Sequence, residues 1–167
     1  MQNLIIWVQV GTLFVLTITF IVFVFGLFLA KKQIKAITTS AKATNFFYLI
    51  SYLQSEKVRE ARELVHKLEG QHYNSWKQDP DKTKAAQLVA SSFDITAVVM
   101  KAELINIHIF STPWKTAICS TYDILKDYVK DRQTKTNDNN YLAHYVGLVH
   151  FLQDKPIPVD GPCGVQF

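Results

Sequence analysis

The stretch Leu4 to Ala30, LIIWVQVGTLFVLTITFIVFVFGLFLA, constrains this chain more than any other. It contains no Asp, Glu, Lys, Arg, His or Pro, and its polar side chains are one Gln and a few Thr. At a helical rise of ~1.5 Å per residue it reaches about 40 Å, enough to cross a hydrocarbon layer of about 30 Å with some tilt. Backbone surrounded by lipid must satisfy its own hydrogen bonds, and a lone segment does so only as a helix. The expectation is one transmembrane anchor, with the lipid bilayer as partner of residues 4–30.

A cleaved secretory signal has a basic start, an apolar run of ~7–15 residues and a small-residue cleavage site. Met1-Gln2-Asn3 carries no base, and the run ends in Ala30-Lys31-Lys32 without such a site. Cleavage is therefore not expected. Lys31, Lys32, Lys35 and Lys42 follow as a basic juxtamembrane helix, residues 31–42, and the first acid is Glu56. Lysine-rich flanks stay in the cytoplasm. This predicts a single-pass protein of the cytoplasmic (inner) membrane, with its N-terminus out and its C-terminal domain in.

Charge also narrows the partners. Of the 18 basic residues, four belong to the juxtamembrane run, and the remainder balance the 14 acids. The basic excess thus sits at the membrane surface, where lysines attract anionic lipid or simply set topology. A neutral domain lacks the basic face of a nucleic-acid binder, so no nucleic acid is expected. Cys119 and Cys163 form no disulfide framework, and free thiols are expected in a reducing compartment.

The remaining pattern is helical throughout, and no strand pattern or repeat appears. Residues 43–69 carry the stripe Phe46, Phe47, Ile50, Leu53, Ala61, Leu64, Val65 and Leu68, which predicts one helix stopped by Gly70. No Gly or Pro interrupts residues 27–69; Thr38-Thr39-Ser40 is the weakest point, so the helix runs through it or breaks only there. A polar loop surrounds Trp76. Asp79-Pro80 then opens a helix to about Leu104, apolar nearly all round and so central to a bundle. Ser111-Thr112-Pro113 repeats the cap-then-proline signal for a helix to about Gln133. After the polar run 134–140, Tyr141 to Leu152 forms a last short helix, and residues 154–167 are a Pro/Gly-rich tail. The predicted fold class is all-α, one N-terminal transmembrane helix followed by a cytosolic bundle of about four helices over residues 43–153.

This order of features resembles a prokaryotic family of small membrane-anchored all-helical proteins, classed as a domain of unknown function. The VREAREL segment, Trp76, Phe93, Asp94 and Trp114 carry the resemblance. It implies the fold and no assigned activity.

Candidate chemistry is sparse. His66, His72, His108, His144 and His150 include no pair at three- or four-residue spacing, and HExxH is missing, so no metal is expected. Neither a phosphate-cradling glycine loop nor a Gly-x-Ser-x-Gly elbow occurs, and no cofactor or small-molecule substrate is evident. Arg59 and His66 have the loose spacing of small HEPN-type ribonucleases and share a helix face, but Glu60 stands where such motifs prefer Asn, Asp or His. Two readings follow. The leading one is a membrane-tethered cytoplasmic interaction module that binds a protein partner or self-associates as a homo-oligomer. The alternative is a membrane-anchored ribonuclease effector acting through Arg59 and His66.

Two further features bear on association and stability. Gly26-x-x-x-Ala30 is a minimal small-xxx-small element, and Ile34, Ile37, Ala41 and Thr44 form a thin stripe beyond it that could pair two copies. Gln9 either bonds across such a pair or sits at the interface near Trp7. Asp94 is the lone charge between Ala85 and Met100, and a buried carboxylate needs a partner. Lys57, within the stripe of its own helix, is the expected partner, ahead of Arg132. Asp94, Lys57, Trp76, Trp114 and Phe93 are thus expected to be structural residues.

Overall fold

In a computed structural model, six α-helices follow one another among the described residues: α1 Gln2–Leu53, α2 Glu56–His66, α3 Tyr73–Trp76, α4 Pro80–Lys101, α5 Ile107–Thr136 and α6 Ala143–Leu152. The structure describes residues 2–153, with the side chains of Trp7 and of residue 11 onward. The expectations for Gln9, Cys163 and the tail 154–167 lie outside these. Among the described residues there is no strand. The chain divides into two compact units, Met1–Ala41 and Lys42–Phe167.

The described residues of the first unit are all helical. Its apolar side chains from Leu13 to Leu29 are 43–67% exposed. By length and composition α1 can cross a membrane, and its apolar window is not buried against the rest of the chain. Thr17 and Thr19 donate their hydroxyls to the carbonyls of Leu13 and Val15, both at 2.8 Å. Thr38 and Thr39 do the same to Ile34 and Lys35 at 2.9 Å, and α1 passes through Thr38-Thr39-Ser40 unbroken. β-Branched residues cost a helix only a few tenths of a kcal/mol each, about 0.5 kcal/mol, too little to break it without a competing structure.

The break falls at Gln54-Ser55 instead, so residues 43–69 are not one helix. Ser55 has extended backbone, and its hydroxyl donates to Tyr52 O at 2.7 Å. This interruption rephases the core stripe. Leu49 and Val58 are buried, whereas Phe47, expected inside, is largely exposed. At the far end α2 stops at His66, short of the predicted Glu69, and the chain turns through residues 67–70, where Gly70 takes φ +76°, a left-handed conformation that glycine adopts without a Cβ penalty.

α4 is the central element of the second unit, packing against α2, α5 and α6. Asp79 caps it, accepting from the backbone N–H groups of Asp81 and Lys82 with Pro80 as first helical residue. Ala85, Ala86, Val89, Ala90, Phe93, Ala97 and Met100 are buried. Four of these seven are alanine, small enough to let neighbouring helices approach closely. One edge stays open, because Ile95 and Val98 remain exposed.

The second cap-then-proline signal misplaces a start. α5 begins at Ile107, where Asn106 accepts from His108 N and Ile109 N, and Pro113 lies inside the helix. Pro113 has no N–H to give the carbonyl four residues back. In the same turn Thr112 donates its hydroxyl to His108 O at 2.9 Å. The helix runs to Thr136 and ends on Asn137 at φ 49°.

Candidate functional site

One arrangement of polar and aromatic groups surrounds Tyr145. α6 starts from Leu142, whose left-handed backbone (φ 57°) turns the chain and whose apolar side chain caps nothing. The first N–H groups of a helix lack partners within it. Here Asp94 of α4 supplies one, accepting from Tyr145 N at 2.9 Å across the interface. Phe93, fully buried, sets its ring 5.5 Å from that of Tyr145, and Tyr122 meets the same ring edge-on at 5.6 Å. The Tyr145 hydroxyl donates to Ile118 O at 3.2 Å. Burial, above all, holds that phenol well above its ordinary pKa, with Tyr122 adding to it.

Asp94 therefore does not pair with Lys57. Lys57 is exposed, Asp94 is half-buried, and no ion pair joins them among the described residues. Rephasing at Gln54-Ser55 turned Lys57 outward. Nor does Arg132 reach Asp94; its guanidinium lies over the Tyr128 ring, 5.5 Å from the centroid.

The two tryptophans of the bundle hold separate corners. Trp76 is buried, edge-on to Tyr73 at 4.8 Å and stacked on Tyr128 at 6.3 Å. Tyr73 donates to Asp131 at 2.8 Å, and Lys135 bridges the same carboxylate at 2.7 Å. Tyr73 is pushed up to about 12, first by burial and then by its bond to Asp131. Lys135, more than Tyr73, holds Asp131 below the usual carboxylate value. Tyr128 is raised by burial, with Tyr141 and Arg132 near enough to act on it electrostatically without meeting hydrogen-bond geometry. Trp114 stacks on Phe110 at 5.7 Å, and Arg62 covers it with its guanidinium 4.9 Å from the ring centroid. Burial, and secondarily Arg59, lowers the Arg62 pKa.

Arg59 and His66 are both exposed on α2. Lys31, Lys32, Lys35 and Lys42 are exposed along α1. Among the described residues no group of three or more His, Cys, Asp or Glu is placed to hold a metal ion. Sequence reasoning missed a groove of about 590 Å³ in the second unit, at the turn between α4 and α5. Lys42, Lys101, Glu103, Asn106, His108 and Phe151 are among its lining residues. Asn106, an N-cap residue type just ahead of an apolar run, is the one local signal that could have marked that turn. The groove mixes both charges with apolar walls.

These features define a class: an all-helical protein in which one long apolar helix precedes several helices packed together. Residues 13–150 match the family described as Domain of unknown function (DUF4760), and the chain belongs to that family. No curated protein and no solved structure matches the chain.

Proposed function

We propose that this is a single-pass protein of the cytoplasmic membrane whose helical domain faces the cytoplasm and serves as an interaction module. The observation that carries this is the unbroken, uncharged and outward-facing apolar surface from Leu13 to Leu29. A soluble protein rarely leaves so large a contiguous apolar patch in water. Lipid satisfies it, and the lysines that begin at Lys31 supply the flank that remains in the cytoplasm. The domain's exposed side offers a binding surface in the groove between Lys42 and His108, lined by both charges and Phe151.

The test is topology. A reporter active only in the cytoplasm, fused after Phe167, should be active in the full chain. Neutral replacement of Lys31, Lys32, Lys35 and Lys42 should give mixed orientation. Activity of a periplasm-only reporter on the otherwise unaltered chain would overturn the orientation. Release of the protein by alkaline carbonate would overturn the span itself.

A further inference from the structure

One face of α1 runs from the apolar stretch into the lysine-flanked segment without interruption. At ~100° per residue, Gly26, Ala30, Ile34, Ile37 and Ala41 lie within about 80° of one another. The first two come from the apolar run and the last three from beyond Lys31. The sequence shows them as separate features; the continuity of α1 through Thr38-Thr39-Ser40 keeps them in one register.

Within the unit Met1–Ala41 each part of this face is exposed. Ile34 is 65% exposed and Ile37 68%. A side-chain carbon added at Gly26 would meet nothing within 4 Å. Lipid tails can cover Gly26, but Ile34 and Ile37 stand among lysines, where water is the alternative and burial is favoured. Lys32 and Lys35 fall on the far side of the helix, roughly 140–160° from the centre of the face, and Lys31 falls to its flank. The residues bordering the face, Gln33, Thr38 and Ser40, are uncharged. Two identical surfaces brought together therefore juxtapose no like charges at the seam, which is what usually excludes self-pairing.

We propose that the occupant of this face is a second copy of the same chain, docked as a parallel pair of α1 helices along Gly26, Ala30, Ile34, Ile37 and Ala41. This rests on the membrane span proposed above, because copies inserted with one orientation present α1 in parallel. Gly26 and Ala30 let the two backbones approach inside the lipid. Ile34 and Ile37 then bury each other just outside it. Three apolar residues per copy are too few to hold a dimer in bulk water. Confinement to a membrane raises the effective concentration enough for so short a seam to count.

Disulfide mapping in membranes tests the proposal with the full-length chain. In a background carrying Cys119→Ala and Cys163→Ser, single variants Ile34→Cys, Ile37→Cys and Lys35→Cys are oxidised mildly. The seam variants should cross-link several-fold faster than Lys35→Cys. Equal rates at all three positions, or no cross-linking in protein that resists carbonate extraction, overturn the pairing and leave the span intact. Extraction by carbonate overturns both. Stepwise photobleaching of the wild-type chain, which needs no seam substitution, should give two steps, reduced to one by Ile37→Lys. A single step in wild type overturns the pairing.

Discussion

The carboxylate of Asp94 on α4 and the backbone N–H of Tyr145 on α6 meet at 2.9 Å, so the first turn of one helix is capped by the middle of another. The residue in the cap position itself, Leu142, offers no acceptor. A capping oxygen is worth about 0.5–2 kcal/mol. Asp94→Ala should therefore lower the stability of the full chain in detergent by about 1–2 kcal/mol, measured by chemical denaturation. Asp94→Asn keeps an acceptor oxygen and should lose less. Lys57→Ala should be near neutral and additive with Asp94→Ala; a coupling energy between them would contradict the arrangement described.

Arg62 should matter through its contact with Trp114. A guanidinium over an indole contributes about 0.5–2 kcal/mol, depending on how dry the contact is. Arg62→Ala should destabilise by about 1 kcal/mol, and the indole emission should shift to longer wavelength as Trp114 gains water. Arg59→Ala, on the exposed side of α2, should do neither.

Stability should fall at both ends of the pH scale through the Tyr73–Asp131 pair. Tyr73 is raised to about 12 in the fold, so its share is fully present below the unfolded phenol value of about 10 and is lost as pH climbs from there to about 12. Asp131 is lowered, so its share is present above the unfolded carboxylate value of about 3.9 and is lost as pH falls through the lower folded value. Melting curves across pH should show a shallower alkaline decline for Tyr73→Phe than for wild type, and a shallower acid decline for Asp131→Asn. Parallel curves would contradict the linkage.

Pro113 sits where α5 would gain from a hydrogen bond. Proline inside a helix costs up to ~3 kcal/mol, though the turn here has adapted to it. Pro113→Ala restores the N–H in an exposed position and should raise the melting temperature, with a gain of about 1 kcal/mol. A lower melting temperature would mean that the turn containing Thr112 depends on the proline.

Legibility from sequence followed the range of the interaction. Asp79-Pro80 marked a true helix start because cap and first turn are neighbours in the chain. Ser111-Thr112-Pro113 carried the same kind of signal and marked none, because Asn106 had already started the helix and α5 tolerates Pro113 within it. The break at Gln54-Ser55 had no Gly or Pro to announce it. Lys57 was read as facing inward from a phase that this break resets. Asp94 was rightly seen to need a partner, but its partner is a backbone N–H, a donor every residue but proline carries and no letter betrays. Trp76, Phe93 and Trp114, which bear the family resemblance, are buried, so that resemblance speaks to packing.

The threonine hydroxyls of α1 have a consequence for transfer between solvents. At Thr17 and Thr19 the proton is already committed to the chain's own carbonyls. An oxygen in that state asks nothing of its surroundings. Moving this turn of helix from water into hydrocarbon strands no donor, and the cost usually assigned to two hydroxyls is largely absent. The segment should behave in insertion as though its threonines were close to valines, which makes its effective oiliness greater than its composition indicates.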